Sequence, residues 1–315
     1  MSEASVKPQT PVRSFLFVPG DSERKQAKAL ASDADALILD LEDSVDPSQL
    51  SAARARVCDV LRVRPAGSQP QLWVRINAPA SGKWREDLDA VFGPEGVHGT
   101  PAGVVLPKVS GATEIVAVAE HLTVLEARRA VPPAATRLLV IATETPQGLL
   151  ALPQYPAILG AARAALARLA GLTWGAEDLS AALGALGKRN AAGDLTFTFQ
   201  LARTTCLLSA AALGVQAIDG VHTEFRDREG LRRELESARR DGFSGKLAIH
   251  PEQIAPINAA FTPSEAERQH ARRVVAAFAA VPGAGVASLD GQMIDRPHLV
   301  QAQRILAAAQ RSRGE

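Results

Sequence analysis

The chain has 315 residues, and its composition excludes several classes of protein before any motif is considered. Its 35 basic and 34 acidic residues give a net charge of +1, so it carries no overall field that would attract nucleic acid or an anionic membrane. Aromatic residues make up 4% of the chain, too few for a surface that stacks nucleic-acid bases. Cys58 and Cys206 lie far apart among alanines and leucines, which predicts two reduced packing residues.

The N-terminal segment, residues 1–12, is polar and lacks the apolar core of a signal peptide. We therefore expect a flexible N-terminus and a cytoplasmic protein. The longest apolar tract, residues 274–289, is shorter than the ~18 residues that a membrane helix needs, and Pro282-Gly283 interrupts it. The sequence predicts no membrane span.

Apolar runs of strand length alternate with helix-length amphipathic segments through residues 13–262. The predicted strands are residues 14–19, 36–42, 71–77, 103–109, 137–145, 171–179, 217–222 and 246–250. The predicted helices are residues 21–31, 50–62, 84–92, 112–130, a short one after Gly148, 198–214, 227–241 and 251–261. Because the strand-like runs are rich in Val, Ile and Leu and the strand–helix unit repeats eight times, the pattern predicts an α/β fold, a closed (β/α)₈ TIM barrel.

Residues 263–315 form a predicted C-terminal extension that the barrel does not need. It contains a helix at 264–280, a break rich in Pro and Gly, and a final helix from Pro297. We expect this helical extension to pack on a neighbouring subunit.

Two carboxylates, Glu144 and Asp178, close the fifth and sixth predicted strands. Active sites of (β/α)₈ proteins lie at the carboxyl ends of the strands, and neighbouring strands lie about 4.8 Å apart. Because only oxygen donors converge there, the pair predicts a site for Mg²⁺ or Mn²⁺. The alternative is that each acid caps the helix that follows it.

Arg75 ends the third predicted strand, and the second ends in Asp40-Leu41-Glu42-Asp43. A guanidinium at the barrel mouth requires an anionic partner, which would be a substrate carboxylate or a developing oxyanion. The alternative is a structural ion pair with Asp40, Glu42 or Asp43.

The turn at Pro19-Gly20 precedes a helix that carries Arg24, Lys25 and Lys28. Backbone N–H groups at such a turn and the nearby cations could meet phosphates, although a solvated helix face explains the cations equally well. His250-Pro251 follows the last predicted strand and supplies either a base or a turn.

Seven motifs occur in an order that resembles the citrate lyase β-subunit-like family of the HpcH/HpaI aldolase/citrate lyase superfamily. The resemblance covers residues 13–305 and is nearest in pattern to stand-alone malyl-CoA and citramalyl-CoA lyases. The motifs are Arg13-Ser14 with residues 16–20, residues 40–45, 75–77, 106–108, 144–148, 175–179 and 249–253.

The resemblance implies a Mg²⁺-dependent lyase that cleaves a β-hydroxyacyl-CoA thioester, such as malyl-, citramalyl- or citryl-CoA, into an acyl-CoA and an oxo acid. It also implies a homotrimer or a hexamer. On this resemblance, Glu144 and Asp178 correspond to metal ligands, and Arg75 to the partner of the substrate carboxylate and oxyanion. The expected substrate and CoA contacts are Arg13, Pro19, Gly20, Gly148, His250 and Pro251.

Residues 291–297 resemble the C-terminal segment that, in malyl- and citramalyl-CoA lyases, brings an aspartate into the adjacent subunit's site. Asp295 corresponds to that aspartate, a candidate catalytic acid or base, although alone it could simply cap the helix near Pro297. Asp43, a third candidate catalytic residue, stands where related pyruvate aldolases carry histidine, which favours the thioester lyase. A class II aldolase, an acyl-CoA thioesterase and a dependent subunit of a citrate lyase complex remain as alternatives.

Overall fold

Eight parallel strands form a closed barrel in the computed structural model, which describes residues 11–64, 67–93 and 99–311. The strands are paired in chain order, and β1 closes the barrel by pairing with both β2 and β8. The predicted TIM barrel is confirmed. The strands are β1 Ser14–Pro19, β2 Ala36–Asp40, β3 Gln71–Arg75, β4 Gly103–Leu106, β5 Arg137–Ile141, β6 Leu169–Thr173, β7 Gln216–Asp219 and β8 Gly245–Ala248.

Helices surround the barrel and separate successive strands. Between β5 and β6 there are three helices where the sequence predicts a single short one. The helices are α1 Glu23–Leu30, α2 Leu50–Arg62, α3 Trp84–Phe92, α4 Ala112–Arg128, α5 Pro146–Ala151, α6 Tyr155–Ala161, α7 Arg163–Arg168, α8 Ala176–Leu183, α9 Phe197–Leu213, α10 Arg228–Asp241 and α11 Ile254–Ala260.

Every strand after β1 ends two to six residues earlier than predicted. Leu41, Ile76 and Ala142, which follow β2, β3 and β5, are at most 1% exposed. Because these residues are buried and apolar, the sequence pattern continues beyond the last residue that pairs with a neighbouring strand. The chain there has already entered the loops that carry the polar side chains of the barrel mouth.

The barrel interior is apolar along most of the strands and carries charged side chains at their carboxyl ends. Phe15 and Trp73 meet edge to face at 5.4 Å within a buried apolar cluster. Ile38 of β2 is in register with Trp73 of β3, and two residues further on Asp40 is in register with Arg75. Since side chains alternate along a strand, this register places an acid and a guanidinium directly above the core.

The chain divides into two compact units, of which Val12–Ile257 is the barrel. The second begins at Asn258, five residues before the predicted extension, and contains α12 Glu265–Ala279, the antiparallel pair β9 Val286–Leu289 and β10 Gln292–Asp295, and α13 Arg296–Arg311. It has its own small apolar core, which includes Val274, Phe278 and Ile294. Its predicted packing on a neighbouring subunit stays a prediction.

Two further predictions concern the N-terminal segment and membrane-spanning helices. Residues 1–10 of the predicted flexible N-terminus lie outside them. Among the helices of the described ranges, none is both long enough and apolar enough to cross a membrane.

Candidate active site

A pocket of about 670 Å³ opens at the carboxyl end of the barrel and brings most of the predicted site residues together. Its wall combines apolar side chains with acids and cations. The predicted residues on it are Pro19, Asp43, Arg75, Glu144, Asp178, His250 and Pro251, and Arg24, Lys25 and Lys28 of α1 also line it.

Glu144 lies in the turn between β5 and α5 and is 4% exposed. Its Oε2 accepts a hydrogen bond of 2.6 Å from the backbone N–H of Lys108. Burial raises the pKa of Glu144 to about 8, and the negative charges of Asp178 and Glu42 also raise it. Thr145 is the N-cap of α5, so the capping alternative for Glu144 is wrong.

Asp178 does not end a strand, and this part of the prediction is wrong. It lies in the first turn of α8, where Gly175 is the N-cap, so Asp178 is not the helix cap either. The side chain is 35% exposed, and its Oδ1 lies 3.5 Å from Lys108 Nζ. The short β6 and the turn at Gly175 still bring Asp178 to the pocket that Glu144 lines.

The chemistry of Glu144 and Asp178 fits a divalent cation. Both offer carboxylate oxygens, the ligands that Mg²⁺ prefers, and a nearby cation would keep the buried Glu144 ionised at neutral pH. A Cβ at Gly175 would lie 2.6 Å from Glu144 Cγ, so glycine keeps the space that this carboxylate occupies. Mg²⁺ is usually bound through one or two carboxylates and keeps several waters, so a cation bound by this pair would keep open positions for water or substrate. In the described ranges, no group of three or more His, Cys, Asp or Glu side chains is arranged to hold a metal.

Arg75 is fixed by two acids of the second strand–loop segment. Its Nε and Nη2 each donate to Asp40 at 2.7 Å, and its Nη1 lies 2.9 Å from Glu42 Oε2. The guanidinium also faces the ring of Phe17 at 4.9 Å. The structural ion pair considered as an alternative is therefore present. Because a guanidinium has five N–H donors, Nη1 and Nη2 keep donors for a bound oxyacid.

Lys108 joins this acid cluster, although its side chain is absent from the predicted site. Its Nζ lies 2.8 Å from Glu42 Oε1 and 2.7 Å from both carboxylate oxygens of Asp43. Burial raises the pKa of Glu42 to about 7 in spite of the attraction of Arg75 and Lys108. The sequence feature that could have identified the Lys108 side chain as part of the site is its position two residues after the buried strand β4.

His250 lines the pocket as the N-cap of the short 3₁₀ turn Pro251–Gln253. Its Nδ1 accepts a bond from the backbone of Glu252, and its ring stacks on Phe225 at 4.7 Å. Of the two roles predicted for His250, the turn is confirmed, and a role as a base stays untested.

Three predicted contact residues have other contacts in the structure: the assignment of Arg13 is corrected, and those of Gly20 and Gly148 stay predictions. Arg13 precedes β1, at the opposite end of the barrel, and forms a two-pronged ion pair with Asp35. Gly20 donates its N–H to the carbonyl of Asp40 at 2.8 Å and cannot offer it to an anion. Gly148 is buried, and a Cβ there would lie 2.2 Å from the carbonyl oxygen of Val109, which gives this glycine a packing role.

Asp295 ends β10 in the second unit and is about half exposed. Its Oδ1 lies 2.5 Å from Nδ1 of His298, which stands in the first turn of α13. The sequence offers no separate signal for His298. The catalytic role of Asp295 stays a prediction.

The acid pair and the buried arginine lie at the carboxyl end of the barrel, where the active sites of (β/α)₈ enzymes are found. The chain belongs to the HpcH/HpaI aldolase/citrate lyase family, whose profile matches residues 13–251.

The alignments with named relatives cover nearly the whole chain. It is 36% identical over 302 residues to a (3S)-malyl-CoA thioesterase of Cereibacter sphaeroides, with 95% of each chain covered. It is 33% identical over 313 residues to a mitochondrial citramalyl-CoA lyase of Rattus norvegicus, with 95% of this chain and 86% of the relative covered. The crystal structure of CitE from Mycobacterium tuberculosis with magnesium, acetoacetate and coenzyme A is similar at a TM-score of 0.72 and 34% identity, covering 95% of this chain and 98% of that one.

Proposed function

We propose that this protein is a Mg²⁺-dependent carbon–carbon lyase that cleaves, or forms, a β-hydroxyacyl-CoA thioester of the malyl, citramalyl or citryl type. The observation that carries the proposal is that Glu144, Asp178 and Arg75 all line the pocket at the carboxyl end of the barrel. The naming of relatives as a lyase and a thioesterase of such CoA esters supports the substrate class.

Cleavage requires one proton transfer at each end of the broken bond. The substrate hydroxyl loses its proton and becomes the carbonyl of the oxo acid. The electron pair of the carbon–carbon bond passes to the thioester enolate, which then takes up a proton and leaves as the acyl-CoA. A catalyst for this reaction needs a proton acceptor near the hydroxyl, a partner for the oxyacid and an acid near the enolate carbon.

Residues of the pocket can serve as the proton acceptor and as the partner for the oxyacid. The free N–H groups of Arg75 would hold the carboxylate of the oxo-acid half, and Asp43 at the pocket wall would accept the hydroxyl proton. Glu144 and Asp178 would hold Mg²⁺, which when bound stabilises negative charge developing on oxygen.

The cationic face of α1 suits the CoA part of the substrate. Arg24, Lys25 and Lys28 line the same pocket as Pro19. The phosphates of CoA carry several negative charges, and cations on one wall offer them charge-assisted contacts. These three residues replace Arg13 among the proposed CoA contacts.

Asp295 of a second subunit is the proposed acid that protonates the enolate carbon. This proposal requires a homo-oligomer in which the C-terminal extension reaches a neighbouring barrel. It rests on the resemblance of residues 291–297 and on the half-exposed position of Asp295.

Hydrolysis of the same thioester is the second candidate function, favoured by the relative named as a malyl-CoA thioesterase. The two reactions give different products. A lyase yields an acyl-CoA and an oxo acid, whereas hydrolysis yields free CoA and the hydroxy acid.

The decisive experiment incubates the purified protein with Mg²⁺ and malyl-, citramalyl- or citryl-CoA and identifies the products by mass spectrometry. We expect an acyl-CoA and an oxo acid from at least one ester, and no turnover when EDTA is present. Free CoA and hydroxy acid alone would establish hydrolysis. Cleavage of free hydroxy-keto acids without CoA would establish an aldolase, and full turnover in EDTA would reject the metal.

A further inference from the structure

Lys108 contacts the candidate metal site through both its backbone and its side chain. It follows β4 and has a φ of 50°, in the left-handed region that lysine seldom adopts. A residue other than glycine stays in that region only where its surroundings hold it there. The contacts of Lys108 on both sides of its Cα account for this conformation.

The backbone contact fixes Glu144. The N–H of Lys108 donates to Glu144 Oε2 at 2.6 Å, a short charge-assisted bond if the acid is ionised. With Oε2 engaged, Oε1 is the oxygen that Glu144 can offer to a cation. The bend of the chain at Lys108 thus sets which way the carboxylate of Glu144 faces.

The side chain of Lys108 contacts acids other than Glu144. Its Nζ lies 2.7 Å from each oxygen of Asp43 and 2.8 Å from Glu42 Oε1. Asp178 Oδ1 is 3.5 Å away. The ammonium therefore stands between an acid proposed to transfer a proton and an acid proposed to bind the metal.

We propose that Lys108 is a positioning residue for this site: its backbone orients Glu144, and its ammonium fixes Asp43 while sharing Asp178 with the bound cation. This inference rests on the proposed function, because it assigns a role relative to the proposed metal. The ammonium and a cation on Asp178 are like charges at short range, so the ammonium weakens cation binding. Its benefit is the fixed position of Asp43.

The arrangement predicts opposite effects on binding and turnover when the ammonium is removed. Lys108→Met keeps the backbone N–H for Glu144 and most of the length of the unbranched side chain, but it removes the positive charge. Cation binding should become tighter because the repulsion is lost. Turnover should fall because Asp43 is no longer held. Loss of a purely structural support would weaken both.

The test measures Mn²⁺ binding to the metal-free protein by electron paramagnetic resonance and, separately, turnover of the active CoA ester. We expect Lys108→Met to bind Mn²⁺ at least threefold more tightly and to lower kcat at least tenfold, with KM changed less than threefold. Lys108→Arg should return both values towards wild type, because it restores the charge. Lys188→Met is the matched control: Lys188 pairs with Glu177, next to Asp178, and should change neither value.

The outcomes separate this inference from the function on which it rests. If wild type binds Mn²⁺ and Lys108→Met binds it more weakly, or binds it equally with unchanged kcat, the role of Lys108 is refuted and the metal site stands. If wild type binds no Mn²⁺, or Glu144→Gln binds it as well as wild type, the metal site itself is refuted and the inference falls with it.

Discussion

Glu144 is held from two sides, by the backbone of Lys108 and by the space that Gly175 leaves for its side chain. Glu144→Gln removes the negative charge and leaves the shape almost unchanged. We expect Mn²⁺ affinity to fall at least tenfold and turnover to fall below one hundredth of wild type, since a neutral amide is a much poorer ligand for a hard cation. Titration calorimetry and the product assay measure the two quantities.

Glu114→Gln is the matched control for this substitution. Glu114 also accepts a backbone N–H bond, from Ser110, but it lies on the surface of α4. Its variant should keep wild-type Mn²⁺ affinity and turnover. Equal affinity in Glu144→Gln and Glu114→Gln would refute the assignment of Glu144 as a ligand.

Asp295 tests the proposed contribution of the C-terminal extension to catalysis. Asp295→Asn should lower kcat about 10²-fold or more, because an amide cannot transfer the proton, while Mn²⁺ affinity stays unchanged. Asp290→Asn is the control, since Asp290 precedes the same hairpin strand and pairs with Arg273 of α12. Wild-type kcat in Asp295→Asn would reduce Asp295 to a structural residue.

The sequence is sufficient to predict the residues whose position follows from a strand end. Arg75 and Glu144 come to the pocket because each follows or ends a buried strand, as expected for this fold. Arg13 is corrected because its contact with Asp35 comes from another part of the chain, and the packing of Gly148 on the Val109 carbonyl has the same origin. Such long-range contacts leave no local pattern.

At the scale of elements, the turn from β6 into α8 decides where Asp178 stands. Trp174, Gly175 and Ala176 continue the apolar run of β6, so the sequence pattern favours a longer strand, whereas the chain begins a helix at Ala176. Gly175 makes this possible: any larger residue would collide with Glu144 from the neighbouring β5 segment. The hydrophobic periodicity of one segment holds no information about its steric contacts with another segment.

Gly175→Ala should disturb the site through this contact. The added Cβ would lie 2.6 Å from Glu144 Cγ, so Glu144 must move. We expect Mn²⁺ affinity to fall at least tenfold, with thermal unfolding showing that the protein stays folded. Gly160→Ala is the control, because a Cβ there meets nothing within 4 Å and alanine is the better helix former. Unchanged Mn²⁺ binding in Gly175→Ala would contradict the described packing.

At the scale of the whole molecule, a buried charge network outside the barrel ties its last strands to the helices. Lys246 of β8 lies 2.9 Å from Asp219 of β7 and 3.0 Å from Glu234 of α10. Asp219 also accepts bonds from Arg203 of α9 and from the Trp174 indole at the pocket wall. The closure of the barrel therefore depends partly on ion pairs that composition and periodicity do not predict.

The network makes stability depend on pH. Although burial opposes its charge, Lys246 and His222 lower the pKa of Glu234 from 4.5 to about 2. Because the folded-state pKa is the lower one, the stabilisation is complete above pH 4.5 and is lost as the pH falls towards 2. It amounts to about 3 kcal/mol at neutral pH, on the order of 1.4 kcal/mol per unit of pKa.

Glu234→Gln should therefore lower the free energy of unfolding by about 3 kcal/mol at pH 7 and by less than half of that near pH 3. Urea denaturation at the two pH values measures this difference. Glu236→Gln, on the exposed face of the same helix, should change little at either pH. A loss in Glu234→Gln that does not depend on pH would show that shape, and not charge, matters at this position.

The eightfold alternation of strand and helix predicts the barrel because each unit repeats the same apolar pattern and eight such units are typical of this fold. The C-terminal unit is different. Its helices can be predicted, but the antiparallel pair β9 and β10 is short and largely exposed, so its apolar signal is weak. What this unit contacts in an oligomer depends on a second chain.

The metal site is tested most directly by crystals of the protein grown with Mn²⁺ and measured for anomalous scattering at the manganese absorption edge. The account predicts one strong peak at the carboxyl end of the barrel, about 2.2 Å from a carboxylate oxygen of Glu144 and from one of Asp178. A peak elsewhere, or none at this pair in crystals that hold Mn²⁺, would contradict it.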